Sequence, residues 1–413
     1  MKVLYVTAAN LTKNTSANMS HNGYVQGLVE NGAEVDIIMA NDSWGERDEK
    51  LKKWDGVTYH EYNSISFADK LRKKYRSVEA KRTVVTSTGQ NSVKKSDGGE
   101  SKEISKNTFR SLLKSVFFWF FKQDALYPLN KTWLNNAQKF KSDTVFDLVV
   151  SNSSPAASHR LVAELVTKGR IKYNRWIQIW EDPWYHDLYG GHPDIVLQEE
   201  HTLLRAAQEV YYVSPLTLHY QKKYFADCAD KMKFIPLPFL KFCEEVATTS
   251  DKISFGYFGD YYSHTRNLQP FYDALISCHA YGNIFGDSDI CLPKTAMVNV
   301  SGRVTLDVLE KVQDETTVLV HLCNLKGGQI PGKIYHYSAT KKPILFILDG
   351  TEEEMHLIKD FFSQYKRYYF CNNDKEDIMA AITDLRNHLD SYKGFVVQDF
   401  SPRQIVKQLL VTI

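Results

Sequence analysis

Short apolar runs alternate with amphipathic stretches throughout the first half of the chain. The stretch Ala17–Asn31 predicts a helix with Gly32 at its C-cap, because glycine readily adopts the left-handed conformation that ends many helices. The apolar runs predict buried strands at Val3–Thr7, Val35–Met39, Val57–His60, Asp147–Ser151, Trp176–Trp180 and Val210–Val213. This alternation is typical of βα units that build a parallel sheet.

The same pattern begins again in the second half of the chain. Strands are predicted at Ile253–Phe258, Met297–Ser301, Thr317–Leu322, Ile344–Leu348 and Tyr368–Cys371, with a helix at Leu268–Cys278. Between the halves, Lys233–Ser250 contains two prolines and a polar run, which indicate a hinge. We therefore predict an α/β protein with two Rossmann-like, doubly wound domains, 1–235 and 251–399, joined by a linker at 236–250. Such domains face a central cleft and bind ligands at the carboxyl ends of their strands.

Composition narrows the class of protein without changing this architecture. The net charge of +2 favours no nucleic-acid partner, and the hydrophobic share of 43% is ordinary for globular proteins. The six cysteines all lie in the second half without a CxxC pair, so we predict free thiols in a reducing compartment and no metal site. The amino terminus does not read as a signal peptide, and no apolar run is long enough to span a bilayer. A cytoplasmic protein is expected.

A basic insertion at about 70–122 interrupts the pattern of the first domain. It has 14 Lys and Arg against 4 Asp and Glu, and its Ser/Gly/Lys-rich part is expected to be mobile. The insertion ends in the aromatic run Phe109–Lys122. A basic segment joined to such a run is typical of peripheral contact with an anionic membrane, which would place the protein at the inner face of the membrane. The alternative is a core helix preceded by a solvated loop.

The loop after the first strand lacks the chemistry of a dinucleotide site. It has no glycine, whereas a Rossmann pyrophosphate site needs GxGxxG at this place. A nicotinamide or flavin enzyme is therefore disfavoured. Asn10, Thr12 and Ser16 can instead hydrogen-bond a ligand rich in hydroxyl groups, and the alternative is an ordinary capping loop.

Polar residues also follow two other strands of the first domain. After Asp147–Ser151, Ser153 comes just before Ser154 and Pro155, which are predicted as the N-cap and first residue of a helix facing the cleft. After Trp176–Trp180 comes the run Glu181–Trp184. A carboxylate such as Asp182 accepts hydrogen bonds from sugar hydroxyls, and the Trp184 indole covers the apolar face of a sugar ring. The alternative for this run is a turn with a packed tryptophan.

Two glycine-containing loops of the second domain favour an anionic ligand. The strand Ile253–Phe258 leads into Gly259 and then Arg266, which suits a phosphate because glycine allows close approach and arginine adds charge-assisted hydrogen bonds. The stretch Gly327–Pro343 follows another strand and is predicted to start a helix near Pro331. Lys333 in its first turn opposes the helix dipole unless a bound diphosphate compensates its charge. The alternative is a surface helix with an extended lysine.

These motifs resemble the retaining GT-B glycosyltransferases of glycosyltransferase family 4, especially bacterial members that build surface polysaccharides. The resemblance covers most of the chain, and its most specific part is IPGKIYHYSATKKPI at Ile330–Ile344, which is similar to the family's Pro-x-Lys-x-x-Glu-Tyr pattern. Its other parts are Val3–Met39, Phe146–Asp187, the VSPLT that follows Val210–Val213, and Gly256–Asn267.

The resemblance implies the GT-B fold, with an acceptor-binding first domain, a donor-binding second domain and a helix at 400–413 that packs back on the first domain. It implies transfer of a sugar from a nucleotide diphosphate donor to a glycan or polyprenyl-linked acceptor, with retention and without a metal or cofactor. The residues implied are Gly259, Arg266, Gly327, Gly328, Lys333 and His336 for the donor, Asp182 as the catalytic residue near the reacting sugar, and Asn10, Ser153 and Trp184 for the acceptor.

The sequence departs from the family pattern at two positions. The family usually has two glutamates separated by seven residues, and the matching positions here are Gly328 and His336. A neutral imidazole at His336 can still hydrogen-bond a ribose hydroxyl. Two other functions therefore stay open at this point: a non-catalytic partner in a glycosylation complex, and a nucleotide-sugar epimerase on the same fold.

Overall fold

The computed structural model describes residues 1–13, 15–41, 51, 53–65, 126–188, 190–240, 252–326, 328–392 and 394–411. The basic insertion predicted at 70–122 lies outside these residues, together with the mobility and the membrane contact predicted for it, and so does Gly327. In the described ranges, no helix combines the length and the apolar character needed to span a bilayer.

A parallel sheet organises the first part of the described chain. Its strands are β1 (Lys2–Val6), β2 (Glu34–Asn41), β3 (Val57–Asn63), β4 (Val145–Asn152), β5 (Lys172–Trp180), β6 (Glu209–Tyr212) and β7 (Met232–Phe234). They lie in the order β3-β2-β1-β4-β5-β6-β7. The helices are α1 (Ser16–Glu30), α2 (Lys131–Ala137), α3 (Ala157–Thr167), α4 (Asp194–Ala206) and α5 (Pro215–Tyr224). The strand order reverses direction at β1, as in doubly wound folds.

A second parallel sheet is built from the remaining described residues. Its strands are β8 (Ser254–Phe258), β9 (Tyr281–Phe285), β10 (Val298–Ser301), β11 (Val318–Leu322), β12 (Ile344–Leu348) and β13 (Tyr368–Asn372), in the order β10-β9-β8-β11-β12-β13. The helices are α6 (Gln269–Ser277), α7 (Leu306–Glu315), α8 (Lys333–Tyr337), α9 (Glu352–Ser363), α10 (Lys375–Asn387) and α11 (Pro402–Val411). The predicted α/β class with two Rossmann-like sheets is confirmed.

Burial explains why some strands were predictable and others were not. Every residue of β11 and β12 is buried, because helices cover both faces of a parallel sheet, and such strands appear in the sequence as continuous apolar runs. Two strands were not predicted. β9 has the sequence YGNIF, in which glycine and asparagine disfavour a strand, and β7 has only three residues.

The helix predicted from Ser154 begins later, so that prediction was wrong. α3 starts at Ala157, and its N-cap is Ala156, which has no side-chain capping bond. The Ser153 N–H donates to the carbonyl of Ile179 at 3.0 Å, which keeps the chain paired beside β5 beyond the end of β4 and delays the helix. The helix predicted near Pro331 is α8, a single short turn that starts at Lys333.

The carboxyl-terminal helix returns to the first sheet. α11 packs against α1 so closely that a Cβ on Gly27 would lie 2.2 Å from the carbonyl oxygen of Pro402. Asn31, at the end of α1, donates from Nδ2 to the carbonyl of Arg403 at 3.0 Å. A buried apolar cluster also continues from the first sheet into the second, so part of the contact between the two domains is packed core.

Candidate functional site

Three loops of the second sheet meet where β8, β9 and β10 end. Gly286 follows β9 and lies so close to the loop after β8 that a Cβ on Gly286 would be 1.9 Å from the Gly259 carbonyl oxygen. The Gly259 N–H donates to the carbonyl of Phe285 at 2.8 Å. Gly286 therefore has to be glycine, and this backbone contact fixes the position of Gly259 and of the following Asp260.

Asp260 anchors an arginine at this edge of the sheet. Arg303 follows β10 and donates from Nε to Asp260 Oδ1 at 3.1 Å, while its Nη2 contacts Oδ2. Burial tends to raise the pKa of Asp260, but hydrogen bonds from Arg303 and from the Asp287 N–H lower it overall. An ionised Asp260 thus holds Arg303, whose side chain is 69% exposed, at the carboxyl end of β10.

Arg266 is held between the loops that follow β8 and β11. Its Nε donates to Asn324 Oδ1 at 2.7 Å, and its Nη1 donates to the carbonyl of Asp260 at 2.9 Å. The neighbouring Thr265 carbonyl accepts from the Leu325 N–H at 2.9 Å, which ties the same two loops together. None of these acceptors is a carboxylate, so the charge of Arg266 is not neutralised by its own hydrogen bonds.

Lys333 completes a group of three cations. Its Cε lies 3.5 Å from where a Cβ on Gly259 would be, so the lysine chain extends over Gly259. Burial, with the charges of Arg266 and Arg303, lowers the pKa of Lys333 to about 8, although Asp260 opposes this shift. Within the described residues Lys333 has no ion pair. We call Arg266, Arg303 and Lys333 the cation cluster; it gathers more positive charge than Asp260 and Asp287 compensate, and it suits an anion.

His336 lies one turn after Lys333 on α8. Burial, with the charge of Lys333, lowers the pKa of His336 to about 4, so the imidazole is neutral at physiological pH. Its ring makes no hydrogen bond to another described residue. A neutral imidazole of this kind can donate to or accept from a ligand hydroxyl beside the cation cluster.

The loop before α8 contacts the first domain. The Gly328 carbonyl accepts from Thr217 Oγ1 at 2.6 Å, and a Cβ on Gly328 would lie 2.8 Å from the ring of Tyr220. Both partners belong to α5. The next residue, Gln329, donates from Nε2 to Asp182 Oδ1 at 2.5 Å. Gly328 and Gln329 therefore lie where the two domains meet, opposite the carboxyl end of β5.

Two adjacent carboxyl groups follow β5 in the first domain. Desolvation by the surrounding cleft walls, with the charge of Asp187, raises the pKa of Asp182 to about 6, although part of this side chain remains exposed. Burial, with the charge of Asp182, raises the pKa of Glu181 well above its usual range. Glu181 Oε1 is buried and has no hydrogen-bond partner. Perturbed carboxyl groups in a cleft are frequent at functional sites.

A buried carboxylate on α4 positions this turn. Glu200 is fully buried, and it accepts from the N–H groups of Trp184 at 3.3 Å and Tyr185 at 2.7 Å. Burial raises the pKa of Glu200 to about 7, while the two backbone hydrogen bonds oppose the shift. Glu200 thus holds in place the residues that follow Asp182.

The residues predicted for the acceptor have structural partners of their own. Asn10 is buried, and its Oδ1 accepts from Thr12 Oγ1 at 2.9 Å. Ser153 Oγ donates to the carbonyl of Ile179 at 3.4 Å. The Trp184 ring packs against Tyr127 with 5.2 Å between centroids, which matches the packed turn that the sequence left open.

The structure brings together only part of the residue set predicted from the sequence. Lys333 and Arg266 converge at Gly259 with His336 one turn away, while Asp182 lies across the cleft. Sequence reasoning missed Arg303, Asp260, Gln329 and Glu200. The sequence contains only a weak signal for Arg303, which follows Gly302 in the polar loop after β10. The strand beside β10 in the sheet is β9, which was not predicted.

No family model matches the chain, and no curated protein matches it. Solved structures do. Anabaena HepE in complex with UDP and glucose is 12% identical, with a TM-score of 0.59 over 100% of this chain and 99% of that one. TarM is 10% identical, with a TM-score of 0.59 over 99% and 98%. The chain has the GT-B fold.

A third similar structure is sucrose-phosphate synthase from Thermosynechococcus elongatus, which is 10% identical with a TM-score of 0.53 over 98% of this chain and 94% of that one. All three cover nearly the whole chain, so both GT-B domains are present and the likeness is not confined to one Rossmann-like unit. The cation cluster lies at the carboxyl edge of the second GT-B domain, and Asp182 lies at that of the first.

One group of side chains in the described part of the chain has the spacing of metal ligands. It consists of His201, Asp227 and Cys228, on α4 and on the turn that follows α5. Arg205 already donates to Asp227 Oδ2 from Nη2 at 2.7 Å, so the carboxylate is paired with a cation. This group is separate from the cation cluster.

Proposed function

We propose that this protein is a glycosyltransferase that moves a sugar from a nucleotide diphosphate donor to a hydroxyl of a glycan or lipid-linked acceptor. The observation that carries the proposal is the cation cluster on a GT-B fold. Departure of a nucleoside diphosphate leaves a large negative charge on the leaving group. Preorganised cations next to that charge stabilise the transition state more than the ground state, which is how such groups accelerate a reaction.

The proposal assigns a role to each part of the site. Lys333, Arg266 and Arg303 hold the diphosphate and replace the charge that a divalent metal would supply, so the reaction is expected to be metal-independent. His336 hydrogen-bonds the ribose as a neutral imidazole. Asp182 lies opposite the cluster, where a carboxylate can contact a hydroxyl of the reacting sugar. The Gln329–Asp182 hydrogen bond joins the two domains and sets the distance between these groups.

The finer features of the proposal rest on the sequence. Retention at the anomeric carbon and a role in surface-polysaccharide synthesis follow from the resemblance to glycosyltransferase family 4. Contact with an anionic membrane follows from the basic segment 70–122. A cytoplasmic location at the inner face of the membrane would bring the site close to polyprenyl-linked acceptors.

The direct test is turnover of nucleotide sugars. The protein is incubated with a panel of nucleotide sugars, with and without polyprenyl-linked and oligosaccharide acceptors, and release of the nucleoside diphosphate is measured in the presence of EDTA. The proposal predicts acceptor-stimulated release from at least one donor. Binding without release across the panel would favour a non-catalytic partner, and interconversion of the nucleotide sugar without transfer would favour an epimerase.

Arg303 provides a prediction that the sequence alone did not make. We expect Arg303→Ala to weaken UDP binding by about 1–3 kcal/mol, because it removes charge-assisted contacts with the diphosphate. Calorimetric titration with UDP measures this loss. Arg403→Ala, at an exposed arginine of α11, is the matched control and should bind UDP like the wild type. Equal affinity of the two variants would remove Arg303 from the site.

Lys333 also predicts how UDP binding depends on pH. The pKa of Lys333 is lowered to about 8, so the ammonium is present below pH 8 and is lost as the pH rises through this value. A diphosphate is attracted by the charged form of Lys333, so affinity for UDP should fall about tenfold between pH 7 and pH 9. Above pH 8, binding of UDP should be accompanied by uptake of a proton by Lys333. Lys333→Arg keeps its charge over this range and should remove most of the fall. An equally steep fall in that variant would assign the dependence to another group.

A further inference from the structure

A cavity of about 570 Å³ lies on the first-domain side of the cleft, apart from the cation cluster. Its walls are the loop that continues from Asp182, the helix α5 and Gly328 of the second domain. The volume falls in the range of pockets that hold small organic ligands. Because Gly328 forms part of the wall, the cavity is complete only when the two domains are in contact.

One wall of the cavity is a row of nearly parallel rings. The His186 and Tyr224 rings are stacked at 3.7 Å between centroids with an angle of 20° between their planes. Tyr220 follows at 6.4 Å from Tyr224 and 19°. Tyr224 is 50% exposed, so the row is not closed off by the core. Flat aromatic faces that remain open to a pocket suit the apolar face of a ring-shaped ligand.

The side-chain oxygen of a buried glutamine in the same wall lacks a hydrogen-bond partner. Gln221 is only 1% exposed and lines the cavity, yet its Oε1 makes no hydrogen bond. A buried acceptor left without a hydrogen bond costs roughly 1–3 kcal/mol, so such atoms normally have a partner. A hydroxyl group of a bound ligand would donate to this oxygen.

The charged groups of the lining disfavour an anionic ligand. The Asp187 carboxylate lies in the wall and is paired with His192 Nε2 at 3.0 Å. Burial lowers the pKa of His186, which favours the neutral ring. Among the described lining residues there is no lysine or arginine. A phosphate, sulfate or carboxylate group would therefore meet the Asp187 carboxylate and no lysine or arginine of the described lining, whereas an uncharged, hydroxyl-rich ring meets an aromatic face and the Gln221 oxygen.

The cavity also adjoins the reacting groups of the proposed function. Pro183, next to Asp182, is in its wall, and Gly328 precedes the Gln329 that donates to Asp182. We propose that the cavity is the acceptor subsite and that it binds an uncharged sugar ring, stacked on the His186–Tyr224 pair and hydrogen-bonded to Gln221. This inference rests on the proposed function, but binding of the sugar itself can be tested separately.

The first experiment measures sugar binding directly. Saturation-transfer NMR is recorded with the full chain and the neutral disaccharides maltose, cellobiose and lactose, and with a disaccharide that carries a uronate. We expect at least one neutral disaccharide to bind and the uronate to bind at least tenfold more weakly. Tyr224→Ala and Gln221→Leu should each weaken binding of the neutral disaccharide by at least about tenfold. Tyr281→Ala is the control, because Tyr281 is the first residue of β9 and does not line the cavity, and it should leave this binding unchanged. No binding of any neutral disaccharide, or binding unchanged in Tyr224→Ala, would overturn the proposal.

The second measurement separates this inference from the proposed function. UDP binding is titrated in the same wild-type, Tyr224→Ala and Gln221→Leu preparations, and it should be equal in all three, which also shows that the variants are folded. In the transfer assay, Tyr224→Ala should raise the KM for a neutral acceptor at least about fivefold with unchanged donor KM. UDP binding without saccharide binding would leave the donor assignment and reject the subsite. Saccharide binding that depends on Tyr224, without UDP binding, would support the subsite and reject the donor assignment.

Discussion

Replacement of Lys333 by methionine should lower kcat/KM for the nucleotide-sugar donor by about a hundredfold or more. The ammonium lies over Gly259 with Arg266 and Arg303 nearby, where it would face the diphosphate as the glycosidic bond breaks. Loss of one preorganised group of this kind typically costs about 10²–10³ in rate. The measurement is initial rates with the most active donor of the panel, together with thermal unfolding of the free protein.

Thermal unfolding distinguishes a functional lysine from a structural one. The lowered pKa of Lys333 means that burial disfavours its charged form in the folded protein, so removal of the charge should not lower the free energy of unfolding. Lys359→Met, at an exposed lysine of α9, is the matched control and should leave both rate and stability unchanged. A Lys333→Met enzyme with kcat/KM within about threefold of wild type would contradict a role for Lys333 in stabilising the leaving group.

Gly286→Ala should destabilise the protein by about 3 kcal/mol or more and abolish UDP binding. The new Cβ would lie 1.9 Å from the Gly259 carbonyl oxygen and 2.9 Å from the Asp260 nitrogen. Both are backbone atoms, so no side chain can rotate away, and the loop that carries Asp260 has to move. Urea unfolding and UDP titration measure the two effects.

Gly259→Ala is the informative comparison. Its Cβ would meet Lys333 Cε and Tyr257 Oη at 3.5 Å, an ordinary contact distance, so the fold should tolerate it to within about 1 kcal/mol. If a diphosphate approaches the backbone here, the variant should still bind UDP more weakly than wild type. A Gly286→Ala protein as stable as Gly259→Ala would show that the loops after β8 and β9 are not held together by their close approach.

The elements that the sequence predicted are those whose local pattern agrees with their environment. β11 and β12 are continuous apolar runs because they are buried on both faces. α1 ends at Glu30 with Asn31 as its C-cap, and Gly32, predicted as the cap, follows in a left-handed conformation with φ of +76° that glycine adopts readily. β9 was missed because YGNIF has little strand character and is stabilised by its neighbours β8 and β10. The cap at Ser154 was wrong because pairing with β5 keeps the chain extended, and a local capping rule contains no information about a neighbouring strand.

The same reasoning explains what was predictable about the site. Arg266 and Lys333 belong to local motifs, and a family resemblance pointed to both. Arg303 enters the cation cluster only because β10 pairs with β9, which brings the loop after β10 to Asp260. The hydrogen bond between Gln329 and Asp182 joins residues 147 positions apart. Contacts of this kind depend on how the two domains pack. The periodicity and spacing of residues in the sequence do not contain that information.

The proposed function requires that the cation cluster bind the diphosphate of a nucleotide. It is tested most directly by calorimetric titration of the wild type and of an Arg266→Ala/Lys333→Met double variant with uridine, adenosine and guanosine diphosphates and with the matching monophosphates, all in EDTA. We expect at least one diphosphate to bind at least about tenfold more tightly than its monophosphate, and we expect the double variant to lose this preference. Equal affinity for diphosphate and monophosphate in the wild type, or an unchanged preference in the double variant, would contradict it.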